Sequence, residues 1–145
     1  MKKACSVLCI IYLILAFSAC APNPPGKTDN AQVIIGTSAK FTADEIKSAE
    51  DCVLEKFKDF EGCELQKLWY DEERSDEETD AYLIGGCGSI NGATKENVIV
   101  LFSNFHVNSA GEDSGFTSDT DHINWNWVLI RDNKSASWQV DTWGY

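Results

Sequence analysis

Few side chains in this sequence are equipped for chemistry. The chain has two histidines. His106 falls in the alternating apolar run "NVIVLFSNFHV", so a strand carries it, on one face with Val98, Val100, Phe102 and Asn104. A general acid or base must be a titratable group aimed into a dry pocket, and His106 is the best candidate by direction. His122 lies in "TSDTDHINW", where Asp119, Asp121 and His122 are spaced like ligands for a divalent ion. A polar turn gives the same spacing, and no metal is expected. Cys87 has no identifiable base beside it, which argues against nucleophilic catalysis. The glycine-rich run around it, "GGCGSINGATKEN", lacks the strand-to-helix context and the Lys-Ser/Thr of a phosphate loop. The acidic run "DEERSDEETDAYL" lacks the glycine and closing glutamate of a calcium-binding loop. Gly-x-Ser-x-Gly, His-Glu-x-x-His and Gly-x-Gly-x-x-Gly are absent from the sequence. No catalytic residue, metal or cofactor is therefore assigned.

Four of the five tryptophans fall in "NWNWVLIRDNKSASWQVDTWGY", either as a platform for a ligand or as the inner face of a hairpin. Asp132 to Ser135 is turn material. A turn centred on Asn133-Lys134 places Trp125, Trp127, Leu129, Ala136, Trp138 and Val140 on one face. Val128, Ile130, Gln139, Asp141 and Trp143 then fall on the other. The first set is almost wholly apolar and is expected to be core, since a small domain has few residues with which to build one. Trp143 and Tyr145 are left on the mixed face, where they border an open end of the sheet. With His106 they are the candidate contact residues.

These residues need a scaffold. In "FTADEIKSAEDCVLEKFKDFEG", Thr42 and Glu45 form a capping box, and Phe41 with Ile46 a hydrophobic staple. Ile46, Ala49, Val53, Phe57 and Phe60 recur at helical spacing, and Gly62 supplies a left-handed stop. The pattern predicts a helix over Ala43 to Glu61, its Phe57/Phe60 stripe packed on the tryptophan face. "CELQKLWYDEE" reads as a strand in which Leu65, Lys67 and Trp69 alternate with Gln66, Leu68 and Tyr70. The acidic run reads as a solvated loop ending in a short edge strand around Ala81 to Ile84. Apolar residues on both faces of "NVIVLF" mark a central strand.

The ends and the charge give the address. Lys2 and Lys3, then an apolar stretch from Val7 to Phe17, read as a secretory leader over residues 1–19, too short for an ordinary membrane span. Phe17-Ser18-Ala19-Cys20 resembles a bacterial lipobox, in which cleavage precedes the cysteine and the thiol is lipidated; Phe17 departs from the usual Leu, Val or Ile. The alternative is ordinary cleavage after Ala21. Cys20 with residues 21–32, "APNPPGKTDNAQ", reads as a flexible tether, and 33–145 as a single α+β domain. Removing the leader's lysines takes the net charge from −11 to −13, which argues against nucleic acid as a partner. Beyond the leader and Cys20, Cys52, Cys63 and Cys87 remain. A Cys63–Cys87 bridge and three free thiols are both open.

The order of helix, strand and meander looks like the cystatin-like α+β class, in which a curved antiparallel sheet of about four strands wraps one long N-terminal helix, as in the nuclear transport factor 2-like cone. "EGCELQKLWYDEE", "VIVLFSNFHV" and "WNWVLIRDNKSASWQVDTWGY" resemble segments of a family of secreted bacterial lipoproteins catalogued as domain of unknown function 4829. The resemblance implies a fold and an extracytoplasmic, lipid-anchored location, and brings no activity or ligand. The expectation is a non-enzymatic domain, tethered at the cell membrane, that binds a small molecule or an envelope protein. The alternatives are a small hydrolase or isomerase using His106, or a partner subunit of an envelope complex.

Overall fold

The computed structural model describes residues 22–145, so the leader and Cys20 lie outside the described residues. The fold is α+β, built on a mixed five-stranded sheet in the order β1-β2-β3-β4-β5. The strands are β1 (Gln32–Ile34), β2 (Cys63–Trp69), β3 (Val98–Val107), β4 (Thr120–Ile130) and β5 (Gln139–Gly144). β1 runs parallel to β2, and β2 to β5 form an antiparallel meander. Helix α1 (Ala43–Phe57) joins β1 to β2; α2 (Glu72–Gly85) and α3 (Gly88–Asn91) lie between β2 and β3. Among the described residues no helix is long and apolar enough to cross a membrane.

Helix α1 forms where its caps require. Thr42 accepts from the Glu45 N–H at 3.2 Å and the Glu45 carboxylate accepts from the Thr42 N–H at 2.8 Å. The helix ends four residues before the expected Glu61. Lys58, Asp59 and Phe60 each donate back three residues in a tightening turn, which drops the Phe60 ring into the core. Gly62 does have positive φ, 72°, and its Cα lies against the backbone of Gly111, where a side chain would collide.

Ile46, Ala49, Val53, Phe57 and Phe60 pack with Leu65, Leu68, Ile99, Leu101, Phe105, Trp127, Leu129 and Trp138 as one core. Val98, Val100, Phe102 and Val128 point the other way and pack with Tyr82 of α2 as a second. Successive residues of β3 thus enter opposite layers, as expected of a central strand. The expected single helix on about four strands is instead helices on both faces of five strands.

The acidic run, expected to be a loop and an edge strand, is α2. Asp71 caps it, accepting from the Arg74 N–H at 3.0 Å. Its buried positions are Ser75, Thr79 and Tyr82, a helical stripe made mostly of hydroxyls. Pairing of β2 with β3 stops at Trp69↔Phe102. The Val100 N–H beyond that point donates to Ser75 Oγ at 3.0 Å. A polar residue faces the sheet because an unmet backbone donor waits there.

The segment expected to be a free tether is held from Pro24 onward. Gly62 N–H donates to Pro24 O, Gly26 N–H to Lys58 O, Lys27 N–H to Cys63 O, and Leu65 N–H to Lys27 O, at 2.8–3.0 Å. Cys52, Cys63 and Cys87 are free thiols. Cys63 is buried in the core and its thiol is pushed up to about 11 by that burial, whereas Cys87 is exposed.

Candidate functional site

Three bulges decide which side chains meet. Each adds a residue to a strand, so side chains three apart share a face and strict alternation fails. In β2 the register shifts between Leu65 and Lys67, which turns both Leu65 and Leu68 into the α1 core. In β4 the pairing with β3 shifts between Ser103 and Phe105. Asn124 takes positive φ, 60°, and its N–H donates to Asn104 Oδ1 at 2.9 Å. His122 and Trp125 thereby both face α1. In β5 the shift opposite Val128/Leu129 leaves Asp141 extra, so Val140 and Trp143 share the α1 face.

The third bulge corrects the expected hairpin. Leu129 pairs with Val140, and Trp127 with Trp143. The expected partners were Trp138 for Leu129 and Val140 for Trp127. Ala136 belongs to the turn and not to a strand. Trp138 precedes β5 and is still buried. Its indole N–H donates to Glu45 O at 3.0 Å and the Arg131 guanidinium lies 4.3 Å from its ring centroid. Arg131 in turn donates to Glu45 Oε1 at 2.7 Å. The Glu45 carboxyl is held below its ordinary value, first by the Thr42 N–H and also by Arg131.

Trp143 therefore sits on the opposite face from the one expected. Its ring lies 6.2 Å from that of Trp127 and 5.9 Å from that of Phe60. It remains 42 % exposed and forms one wall of an open cleft between α1 and β5, about 500 Å³ in volume. Cys52, Glu55, Lys56 and Asp59 line the other side, with Val140 at the base. Glu55 and Lys56 fall on the same flank of α1 as Cys52 because they follow it by three and four residues. Cys52 Sγ donates to Trp138 O at 3.4 Å, and burial raises its thiol pKa. Lys56 Nζ lies 4.9 Å from the Trp143 ring centroid and 2.9 Å from Asp59 Oδ2.

Tyr145 is 78 % exposed and stands beside a second aromatic group. Its hydroxyl is 2.9 Å from His122 Nδ1, and its ring is 5.0 Å from that of Trp125. His122 stacks on Phe105 at 4.7 Å and meets Phe116 edge-on at 5.3 Å. Burial among these rings lowers the His122 pKa. His122 thus packs among four rings, those of Phe105, Phe116, Trp125 and Tyr145, with the Tyr145 hydroxyl as its hydrogen-bond partner. Among the described residues no group of three or more His, Cys, Asp or Glu side chains could hold a metal.

His106 is not brought to Trp143 or Tyr145. It points away from α1, beyond the part of β3 that α2 covers, and is part-exposed. Its Nδ1 lies 2.9 Å from Asp121 Oδ1 on the neighbouring strand. A dry pocket for His106 would have required α2 to extend along the whole strand, and α2 packs only near Val98 to Phe102.

One group had no signal in the sequence beyond its place on the apolar stripe. Glu50 of α1 is 1 % exposed and neither carboxylate oxygen has a hydrogen-bond partner among the described residues. Desolvation, then the nearby Asp51 charge, pushes its carboxyl up to about 7.

Comparison of the chain with protein-family models, with curated proteins and with solved structures finds no match in any of the three.

Proposed function

We propose that this chain is a non-enzymatic binding domain tethered by a lipid on Cys20 at the extracytoplasmic face of a bacterial membrane, and that its ligand enters the cleft between α1 and β5. The observation that carries the reading is that cleft: about 500 Å³, open, with an apolar base and an exposed indole as one wall. Its size is that of small-molecule sites, and exposed indoles are common anchors in them. The order of α1 followed by the β2–β5 meander supports the cystatin-like reading, and with it the resemblance to the lipoprotein family, with α2, α3 and β1 as additions.

A thermal-shift screen of the purified full-length protein against metabolites, amines and wall fragments tests the binding. The expected result is a hit that raises Tm and is lost in Trp143→Ala; hits that survive Trp143→Ala put the site elsewhere. Fatty-acid labelling tests the anchor. Label that persists in Cys20→Ala, or that is missing from the wild type, removes the lipoprotein reading.

A second reading, a hydrolase or isomerase, is favoured by the His106–Asp121 contact at 2.9 Å, since a carboxylate that orients an imidazole is half of an acid–base system. Its test is His106→Gln, which abolishes the phenotype or turnover associated with the chain if His106 is catalytic and leaves them intact if the binding reading holds.

A further inference from the structure

Resting on the reading of the α1–β5 cleft as a binding site, we infer that its ligand is an organic cation: an alkylammonium group on an apolar body. The cleft already holds such a group. The ammonium of Lys56 stands 4.9 Å over the face of Trp143 and 2.9 Å from Asp59. That is the geometry in which an indole attracts a cation, with a carboxylate as counter-charge. Behind it the methylenes of a ligand would meet Val140 and Cys52.

An anion is disfavoured at the same place. Lys56 is committed to Asp59, and Lys58 to Glu55. An incoming carboxylate would have to take Lys56 from Asp59 and would then face both acids of the rim. The whole chain carries a net charge of −11, so its long-range field also draws cations and repels anions. A cation, by contrast, replaces Lys56 like for like. The Lys56 side chain swings out to water, which costs little for a residue at the surface, and the ligand takes the indole face and Asp59. Lys56 is then a resident competitor, and removing it improves the site.

The test is titration of the full-length protein with hexyltrimethylammonium, hexanol and hexanoate, followed by tryptophan fluorescence, in the wild type, Lys56→Ala, Trp143→Leu and Trp143→Ala. The expected result is that the cation binds most tightly. Lys56→Ala should tighten it at least twofold. Trp143→Leu, which keeps an apolar wall without the aromatic face, should weaken the cation about two- to fivefold and leave hexanol unchanged. Hexanol or hexanoate binding as well as the cation, in a way that needs Trp143, would overturn the cation inference and leave the binding cleft standing. Lys56→Ala that leaves the cation no tighter would do the same. Failure of all three probes to bind in a Trp143-dependent way would overturn both.

Discussion

On the α1 side of the sheet the layer is built from rings. Phe57 and Phe60 stand 5.4 Å apart, centroid to centroid, and each lies 5.0–6.3 Å from both Phe105 and Trp127. On the α2 side the layer is Ser75, Thr79 and Tyr82 against Val98, Val100, Phe102 and Val128, closed by charged residues such as Arg74, whose guanidinium lies 4.0 Å from the Phe102 ring. The first side gains stability from the area it removes from water. The second buries its valines and Phe102 too, and adds hydrogen bonds at Ser75, which accepts from the Val100 N–H, and at Tyr82, which donates to Asp141, while Thr79 Oγ1 is buried without a partner among the described residues. Large rings leave shaped gaps at the edge of their layer, and the cleft beside Trp143 is one. The α2 side leaves smaller ones, such as the cleft of about 150 Å³ lined by Glu78, Tyr82, Asn126 and Val128. The difference explains why the candidate site lies at the rim of the aromatic layer.

The contrast is broken most severely by Trp127→Ala. Trp127 is fully buried and its indole N–H donates to Ser103 Oγ at 2.8 Å. Truncation should cost about 3–5 kcal/mol. Urea denaturation reads this directly; a loss below about 1 kcal/mol would mean that the ring layer does not carry the fold.

The next effect is a gain, and it marks a place where the α1 layer is built against its own chemistry. The Glu50 carboxyl sits at about 7 in the folded chain against 4.5 ordinarily. A raised carboxyl favours the protonated form in the folded state. Its contribution is therefore full below about pH 4.5, falls as pH climbs toward 7, and stays at its lowest above that. Glu50→Gln, which cannot ionise, should stabilise the protein by about 2–3 kcal/mol at pH 8 and by almost nothing at pH 4.5. Thermal melts across that range check it. A stabilisation equal at both ends would show that ionisation is not the cause.

Ser75→Ala tests the α2 layer in the same terms. It leaves the buried Val100 N–H without its acceptor, at a cost of about 2 kcal/mol. A near-neutral result in urea would mean that the backbone shifts to find another partner, and that the hydroxyl stripe is packing alone.

The same contrast separates what could be read in the sequence from what could not. The start of α1 was legible because its signals are local: Phe41, Thr42, Glu45 and Ile46 are neighbours in the chain, and all act as expected. The central position of β3 was legible from apolar residues on both of its faces. Helix α2 was not, because hydrophobic periodicity is the signal for a helix and its buried stripe carries two hydroxyls and a tyrosine. Strand β1 is three residues long and exposed, and its parallel partner Cys63–Trp69 lies far along the chain. The site was missed for a different reason. Alternation assigns Trp143 to a face by counting, and a single extra residue in β5 reverses the count; His122 lies in what reads as a polar turn and is instead part of β4. Asn124, with its positive φ, is the only hint of the β4 bulge that the sequence carries, since asparagine tolerates that conformation better than most residues.

The smallest effect distinguishes the helices themselves. Helix α1 is held by its apolar stripe, so its cap adds to a structure that packing already fixes. Helix α2 has six acids against one arginine over Glu72–Gly85, and pairs such as Glu73/Glu77 and Asp76/Asp80 repel at one-turn spacing. Lys40 and Lys95 offset part of this through Asp76 and Asp80, at 3.0 and 2.8 Å. The cap at Asp71 is then a larger share of what keeps α2 wound. Asp71→Ala should cost about 1 kcal/mol, as should Thr42→Ala on α1. The two should differ in where the loss appears. Hydrogen exchange should speed up locally through the first turns of α2 in Asp71→Ala, and added salt, which screens the repulsion, should restore much of the protection. In Thr42→Ala the loss should spread over the whole domain, because α1 and the ring layer open together. If both variants relax the same amides, the two layers form one cooperative unit and the separation drawn between them is one of composition only.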